Sequence, residues 1–538
     1  MHFILSSRPS PLSSPLLLFS PFPSLPPPPS SSPLFSPTSP LPLAFSPSPL
    51  LPAVFAHLFY PVGPTPVRGA CLLWSPAPMP PSQDTLSPLV SDKAFHHEEH
   101  ETDELPPSSV TLVRHRRKFV VTNPAWYRNS LLASVGFLEF ANAGDFAANV
   151  WNDVPVPIYA VIFMAIGGPL ALLISVAALW DGILSWRNVR ILRTERQYLK
   201  ALRLQYLDPS TSTSVDQAAV RLIDRRLGVS FRELGSELID RVIMDVFLGI
   251  GALLVGTGTI MAIWGAHRYI YYISNLLSGF VGNSFAAAYG VLNAVWSLYL
   301  MWRFHGHDRA CMRSPAATPF RDRLHRRFQY FKWHSLVSGI TGLVAGAASM
   351  LTCKRWWGYV MLIPCMLLEV GCNQFWRVQL GYDRPIVTEH PHWGLIPDFR
   401  ESKEDEEKDS ILLDTLASVI GMQNALAPLP TSMIDVDWTS LDSLLLFIVN
   451  NHLFDSLCGW LATHSSVPID FKNSLFRLSA EYMEITLTLA DLRSLPDAER
   501  PRLHELCRDF LYTEGRQVML GRERYLLEMV GYTAWKDG

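Results

Sequence analysis

The chain has 538 residues, of which 17% are charged and 49% hydrophobic, and it carries a formal net charge of −3. Soluble domains average about 25% charged residues, so a wholly soluble protein is a poor fit, while the length leaves material for more than one domain. The seven cysteines (Cys71, Cys311, Cys353, Cys365, Cys372, Cys458 and Cys507) show no CxxC spacing, so neither a disulfide framework nor a zinc site is indicated, and no nucleic-acid partner is expected.

From Met1 to Pro78 the chain is mainly Ser, Pro and Leu, with no acidic residue and only Arg8 and Arg68 as charges. Proline at this density excludes helix and sheet, so disorder is expected. Prolines also interrupt every signal-peptide core around Leu16 to Phe19. Acids first appear at Asp84, which suggests Met79 as the true start and residues 1–78 as a gene-model extension. The cluster His96, His97, Glu98, Glu99, His100 has metal-ligand residue types, but in such a linker it reads as solvated charge, and no metal is assigned. The disordered region is expected to run over residues 1–128.

Membrane spans follow over 129–377. Val154 to Trp180, Val246 to Ala266, Tyr269 to Trp302 and Trp333 to Cys353 contain no charged side chain, and Trp356 to Trp376 contains only Glu369. About 20 apolar residues suffice for a helix to cross the hydrocarbon core. Tyr269 to Trp302 is too long for one straight span, so a short interfacial segment before a span from Asn283 is expected. Lys354 and Arg355 alone separate the last two runs, which implies a tight helical hairpin.

Basic residues mark three places: Arg114 to Arg128, Arg187 to Arg203, and Arg303 to Lys332. Lys and Arg favour the cytoplasmic side, and the first two clusters share that side only if another crossing lies between them. Asn129 to Val150, marred by Glu139 and Asp145, is the candidate. About six crossings with both ends inside are therefore expected, in a plasma membrane or an endomembrane. The charged stretch Asp181 to Arg241 is expected to be helical, with Leu192, Leu199 and Tyr206 against the inner leaflet or a soluble domain.

Polar groups inside a span are costly unless paired, which singles out Glu369, Asn373 one turn further on, and Glu139. They suit either a proton or cation path or a hydrogen-bonded lock between helices. The lock is the plainer reading, because acidic positions do not recur in the other spans. Gly249, Gly251, Gly256 and Gly258 follow no strand and read as helix packing; no cofactor is expected.

Residues 378–430 read as an acidic linker, and 431–538 as a soluble helical unit. Ser440 caps a helix that Asn450 and Asn451 break; Leu453 begins the next and Asp470 opens a third. A fourth runs from Pro501 to a stop at Gly515, and the last covers Arg522 to Val530.

The runs LLLFIVNNHLFDSLCGWL from Leu444, DFKNSLFRLSAEY from Asp470 and RPRLHELCRDFLYTEGRQVMLGRERYLLEM from Arg500 resemble, in that order, the landmarks of the regulator of G-protein signalling (RGS) domain. Asn473 falls on the Asn of the family's ENLxFWxxxxEY helix, Phe476 and Tyr482 on its aromatics, and Phe510, Leu511, Val518 and Leu520 on later apolar positions. The resemblance covers roughly Leu441 to Val530. It implies an all-helical bundle that binds a Gα subunit in its transition-state shape and modulates the GTP hydrolysis Gα itself performs. Asn473, Lys472, Met519 and Leu520 would meet the partner. Lys472 replaces the family's Glu, Arg477 its Trp and Met519 a second interface Asn.

The expected fold is thus all-α: a polytopic helical membrane bundle followed by a cytoplasmic RGS-like bundle, a layout similar to fungal and plant proteins that join such parts. GxxxxGK[ST], HExxH and GxSxG are all absent, so the protein is not read as an enzyme. A transporter or channel with a regulatory tail, and a scaffold that recruits partners without acting on Gα, are the alternatives.

Overall fold

In lipid every backbone N–H and C=O must be met within the chain, and a helix is the local solution. In the computed structural model of the protein each uncharged run is helical. The structure describes residues 109–115, 118–121, 126–129, 140–151, 155–207, 214–387, 407–426, 437–476 and 484–537.

In chain order the described elements are β1 (Ser109–His115), β2 (Lys118–Val121), β3 (Trp126–Arg128), α1 (Phe140–Ala143), α2 (Phe146–Val150), α3 (Ile158–Tyr206) and α4 (Ser214–Glu237). A π-helical turn, Leu238–Ile243, joins α4 to α5 (Met244–Ala262). Next come α6 (Arg268–Ser274), a second π segment (Asn275–Gly282), α7 (Asn283–Arg313), α8 (Arg321–Thr352) and α9 (Gly358–Phe375), which ends in the π turn Trp376–Leu380. After β4 (Asp383–Pro385) lie α10 (Glu407–Ala425), α11 (Leu441–Asn450), α12 (Phe454–Thr463), α13 (Ile469–Leu475), β5 (Glu484–Thr488), α14 (Leu489–Arg493), α15 (Arg500–Phe510) and α16 (Arg516–Asp537).

Four helical units are long and apolar enough to cross a membrane: Ile158–Tyr206, Arg268–Arg313, Thr318–Thr352 and Gly358–Leu380. Helix α5 packs antiparallel to α3, with Gly168 against Gly256 and Gly182 beside Asp245. Helices α7 and α8 are likewise antiparallel, with Gly290 against Gly342 and Gly346 against Ala287. A Cβ at Gly290 would collide with the Gly342 backbone, so the missing side chain is what permits this approach. Ile166, Leu173, Leu179, Leu298, Ile340 and Leu367 remain exposed on the outer surfaces of these helices, as lipid contact requires.

Exposed aromatics form two belts. Tyr159, Trp264, Tyr269, Trp356 and Trp357 lie at one end of the helices and Trp180, Trp302 and Trp333 at the other. Along α3, Tyr159 to Trp180 rises about 32 Å at 1.5 Å per residue, close to the thickness of a hydrocarbon core. The end that carries Trp180, Trp302 and Trp333 also carries the basic clusters, and is called the inner end below.

The structure departs from several expectations. Within the stretch expected to be disordered, the described residues 109–115, 118–121 and 126–128 form strands: β1 pairs antiparallel with β2 and β5 in a three-stranded sheet, with Leu112 opposite Ile485. The interfacial segment before Asn283 is instead helical and packs along α5, where Gly251 meets Gly282 and Gly258 meets Ser278. The linker 378–430 is in part ordered: β4 pairs with β3, and α10 buries Leu412, Leu416 and Val419. Gly515 does not stop its helix, because it is buried beside Phe510 and the chain continues through a π turn into α16. The caps of α11, with Ser440 accepting from the Ser443 N–H, and the break at Asn451 lie where the sequence puts them. The expected disorder of residues 1–108 lies outside the described residues.

Candidate functional site: buried charges and a polar cavity at the inner end

Helix α3 continues beyond Trp180, and its inward side carries Asp181, Ser185, Asn188 and Glu195, all buried. Helix α4 returns antiparallel and, with the π turn that follows it, brings Arg232, Glu233, Glu237 and Arg241 to the same interior. Burying a charge costs several kcal/mol unless it is paired and hydrogen-bonded, so the partners decide whether such a core can form.

They form a hub. Pairing of β3 with β4 sets Arg384 opposite Tyr127. From there the Arg384 guanidinium donates to both Glu195 oxygens, each at 2.7 Å, and to Glu233 at 2.6 and 3.0 Å. Arg232 donates to Glu528 of α16 at 2.8 Å and to the Tyr382 hydroxyl at 2.7 Å, and that hydroxyl donates to Glu233 at 2.8 Å. The Val387 N–H closes on Glu195 at 3.0 Å. Burial alone would raise the Glu233 pKa, but Arg384 and Arg232 more than offset it and hold the carboxyl below its ordinary value. The arginine faces lie over aromatic rings, Arg384 on Tyr127 and Tyr525, Arg232 on Phe331 and Tyr382.

This hub joins the segments before and after the membrane helices to the last helix of the chain. Helix α16 is held further by Tyr532 beneath Arg303, by Trp535 against Trp302 and His307, and by Arg524 donating to the Gly381 carbonyl at 2.7 Å. The carboxy-terminal unit is therefore packed onto the bundle rather than tethered to it.

About two turns along α4 and α5 from the hub, the charges are met less completely. Arg241 is shared by Asp181 at 3.1 Å and Glu237 at 3.2 Å, and Glu237 also accepts from Asn188 at 2.9 Å. Asp240 accepts from the Trp296 indole at 3.1 Å. Glu369 accepts from Thr341 of the neighbouring helix. Both Asp245 oxygens are buried without a hydrogen-bond partner among the described residues. A cavity of about 50 Å³ lies between these helices, lined by Glu237, Asp240, Arg241, Asn293, Ser335, Ser338, Glu369 and Asn373 among others.

Glu369 and Asn373 thus face one cavity, with Glu369 hydrogen-bonded across to α8; Glu139 lies outside the described residues. Asn473 is exposed near the end of α13, while the Lys472 ammonium donates to the His464 carbonyl at 2.7 Å. Met519 is fully buried and Leu520 half-buried, so the Met519 side chain faces the interior and not a partner. Arg477 and Tyr482 lie outside the described residues. Sequence reasoning missed Asp240, Asn293 and the whole hub. The available signal was Glu237 and Arg241 at helical i, i+4 spacing immediately before an uncharged run. Among the described residues no group of three or more His, Cys, Asp or Glu is placed to hold a metal ion. No protein family, no curated protein and no solved structure matches the chain.

Proposed function

We propose that the protein is a membrane-held regulator of a Gα-type GTPase, in which a six-crossing bundle fixes a helical domain on the cytoplasmic face. Six crossings are supported by the ends of the chain's segments. Strands β1 and β3 pair with β5 and β4 at the inner end, whereas Asp145, next after α1, accepts from Tyr359 at the outer end of α9 at 2.7 Å. That placement, with Arg128 at one end of the bundle and Asp145 at the other, supports a first passage ahead of five later ones. The basic clusters at the inner end favour the cytoplasm for that end.

The observation that carries the regulator reading is the weld of α16 to the bundle through the fully buried Arg232–Glu528 pair. It holds α11 to α15 in a set orientation beneath the membrane, where lipid-anchored GTPases are presented. Asn473 is exposed on α13, although α13 ends at Leu475 and so stops short of the longer helix expected from Asp470 through Leu478 and Tyr482. With Met519 buried, the α13 face is the contact surface, and the domain binds Gα and modulates its GTP hydrolysis. The test is single-turnover GTP hydrolysis by purified Gα with the full chain in nanodiscs, alongside capture of transition-state-loaded Gα. Binding with a changed hydrolysis rate is expected; neither binding nor a rate change refutes the reading.

A further inference from the structure

The interior around the cavity holds more carboxyl groups than the described residues pair with cations. Asp181, Glu237, Asp240, Asp245 and Glu369 lie in or beside it, and Arg241 is the one cation in ion-pair contact with any of them among the described residues. Arg241 is already divided between Asp181 and Glu237. Asp240 accepts from the neutral Trp296 indole and Glu369 from the neutral Thr341 hydroxyl, and neither has a cation in ion-pair contact among the described residues. A buried carboxylate without a cation is costly, and the lining offers further oxygens to receive one. The Ser335 hydroxyl lines the cavity, belongs to a residue only 2% exposed, and has no hydrogen-bond partner among the described residues. Ser338 and the Asn293 amide stand beside it, with Asn293 donating to the Ser338 carbonyl at 3.0 Å. Two of the chain's π-helical turns border the same space: Leu238–Ile243 carries Asp240, and Trp376–Leu380 begins with the lining residue Trp376. Such turns interrupt the regular ladder and concentrate at functional positions.

We propose that this cavity binds a monovalent cation of sodium's size, held by Asp240 and Glu369 together with the neutral oxygens of Ser335, Ser338 and Asn293. All are hard oxygen donors, which suit an alkali cation better than a soft transition metal. The volume admits one ion with a water or two. One positive ion between two carboxylates from different helices removes half of their combined charge. The ion joins the α4–α5 junction to α9 across the bundle. This inference stands apart from the partner assigned to the cytoplasmic domain and needs only the bundle.

The test uses the full chain in detergent, prepared in N-methylglucamine chloride and titrated with sodium chloride at constant ionic strength. Thermal unfolding should shift upward by a few degrees in a saturable way. Glu369→Gln and Asp240→Asn should each lose that shift while unfolding cooperatively in N-methylglucamine. Should either variant fail to fold, Ser335→Ala, which removes one neutral oxygen, should move the titration midpoint to higher sodium. Equilibrium binding of radioactive sodium to the wild-type chain should reach one ion per chain. A flat titration, an equal shift in the carboxylate variants, a response to calcium alone, or no bound sodium each overturns the proposal.

Discussion

The hub and the cavity are two polar interiors on one helix, and they differ in how their charges are met. Arg232 and Glu233 face the hub, while Glu237, Asp240 and Arg241 lie within about three turns of them on the cavity side. In the hub, two arginines meet three carboxylates through fully buried, multiply hydrogen-bonded pairs. In the cavity, Arg241 contacts two of the five acids, and polar atoms of Asn129, Ser335 and Asp245 have no partner among the described residues. A network whose carboxylates all have cations, as the hub's do although the Arg232 Nη1 is left without an acceptor among the described residues, holds elements in place and gives a cation little to gain by entering. An unsatisfied one is a standing cost that a ligand can relieve, so the first region reads as structure and the second as a site.

The largest expected effect separates the two. Arg384→Met leaves Glu195 and Glu233 buried and unpaired and should cost about 3–5 kcal/mol. Thermal unfolding of the full chain in detergent should show it as a large drop or loss of the folded protein. Glu369→Gln, which retains a hydrogen-bonding acceptor for Thr341, should fold. A comparable loss from both would erase the distinction between the regions.

A smaller effect sharpens the hub's electrostatics. Glu233 sits below its ordinary pKa. A depressed carboxyl contributes stability that is complete above the unfolded value, about 4.3, and that disappears as pH falls through the folded value. Glu233→Gln should therefore destabilise by about 1–3 kcal/mol at neutral pH, and the gap from wild type should close below about pH 4. A gap of constant size down to about pH 3 would show that the carboxylate's charge is not what the arginines hold.

Asn473 lies outside both regions and gives the smallest change in stability. Asn473→Ala should alter unfolding by less than about 0.5 kcal/mol, as expected of an exposed side chain. On the proposed α13 surface it should still weaken Gα capture by about 1–3 kcal/mol, read as roughly a five- to 150-fold change in affinity. Unchanged capture would remove α13 from the contact.

How much of this was legible in the sequence follows from the range of the interactions. Uncharged runs bordered by Trp180, Trp302 and Trp333 announce membrane helices because hydropathy is a local property. The Ser440 cap and the break at Asn451 are local in the same sense. Arg384, Glu195, Glu233 and Glu528 each look like ordinary surface charges, since nothing local to any of them indicates its partner. Strand β5 was missed because Glu484 to Thr488 alternates over only five residues, and its partner β1 lies far upstream in a segment dominated by prolines before it. Met519 was placed at an interface by alignment with a family landmark. The continuation of the helix through Gly515 turns that position inward. Glu369 and Asn373 were visible because charge and amide are rare within a span, whereas Asp240 was not, lying among the charges that precede one.

If the segment before the first crossing and the carboxy-terminal domain meet at one end of the bundle, the number of crossings between them is even. The most direct measurement is disulfide cross-linking of Ser109→Cys with Thr488→Cys, opposite partners in the β1–β5 ladder, in native membranes under mild oxidation, with each single variant as control. The account predicts an intramolecular cross-link in the double variant alone. If instead no cross-link forms in folded protein and residue 109 is labelled only from the side opposite to residue 488, the six-crossing arrangement and the weld built on it are contradicted.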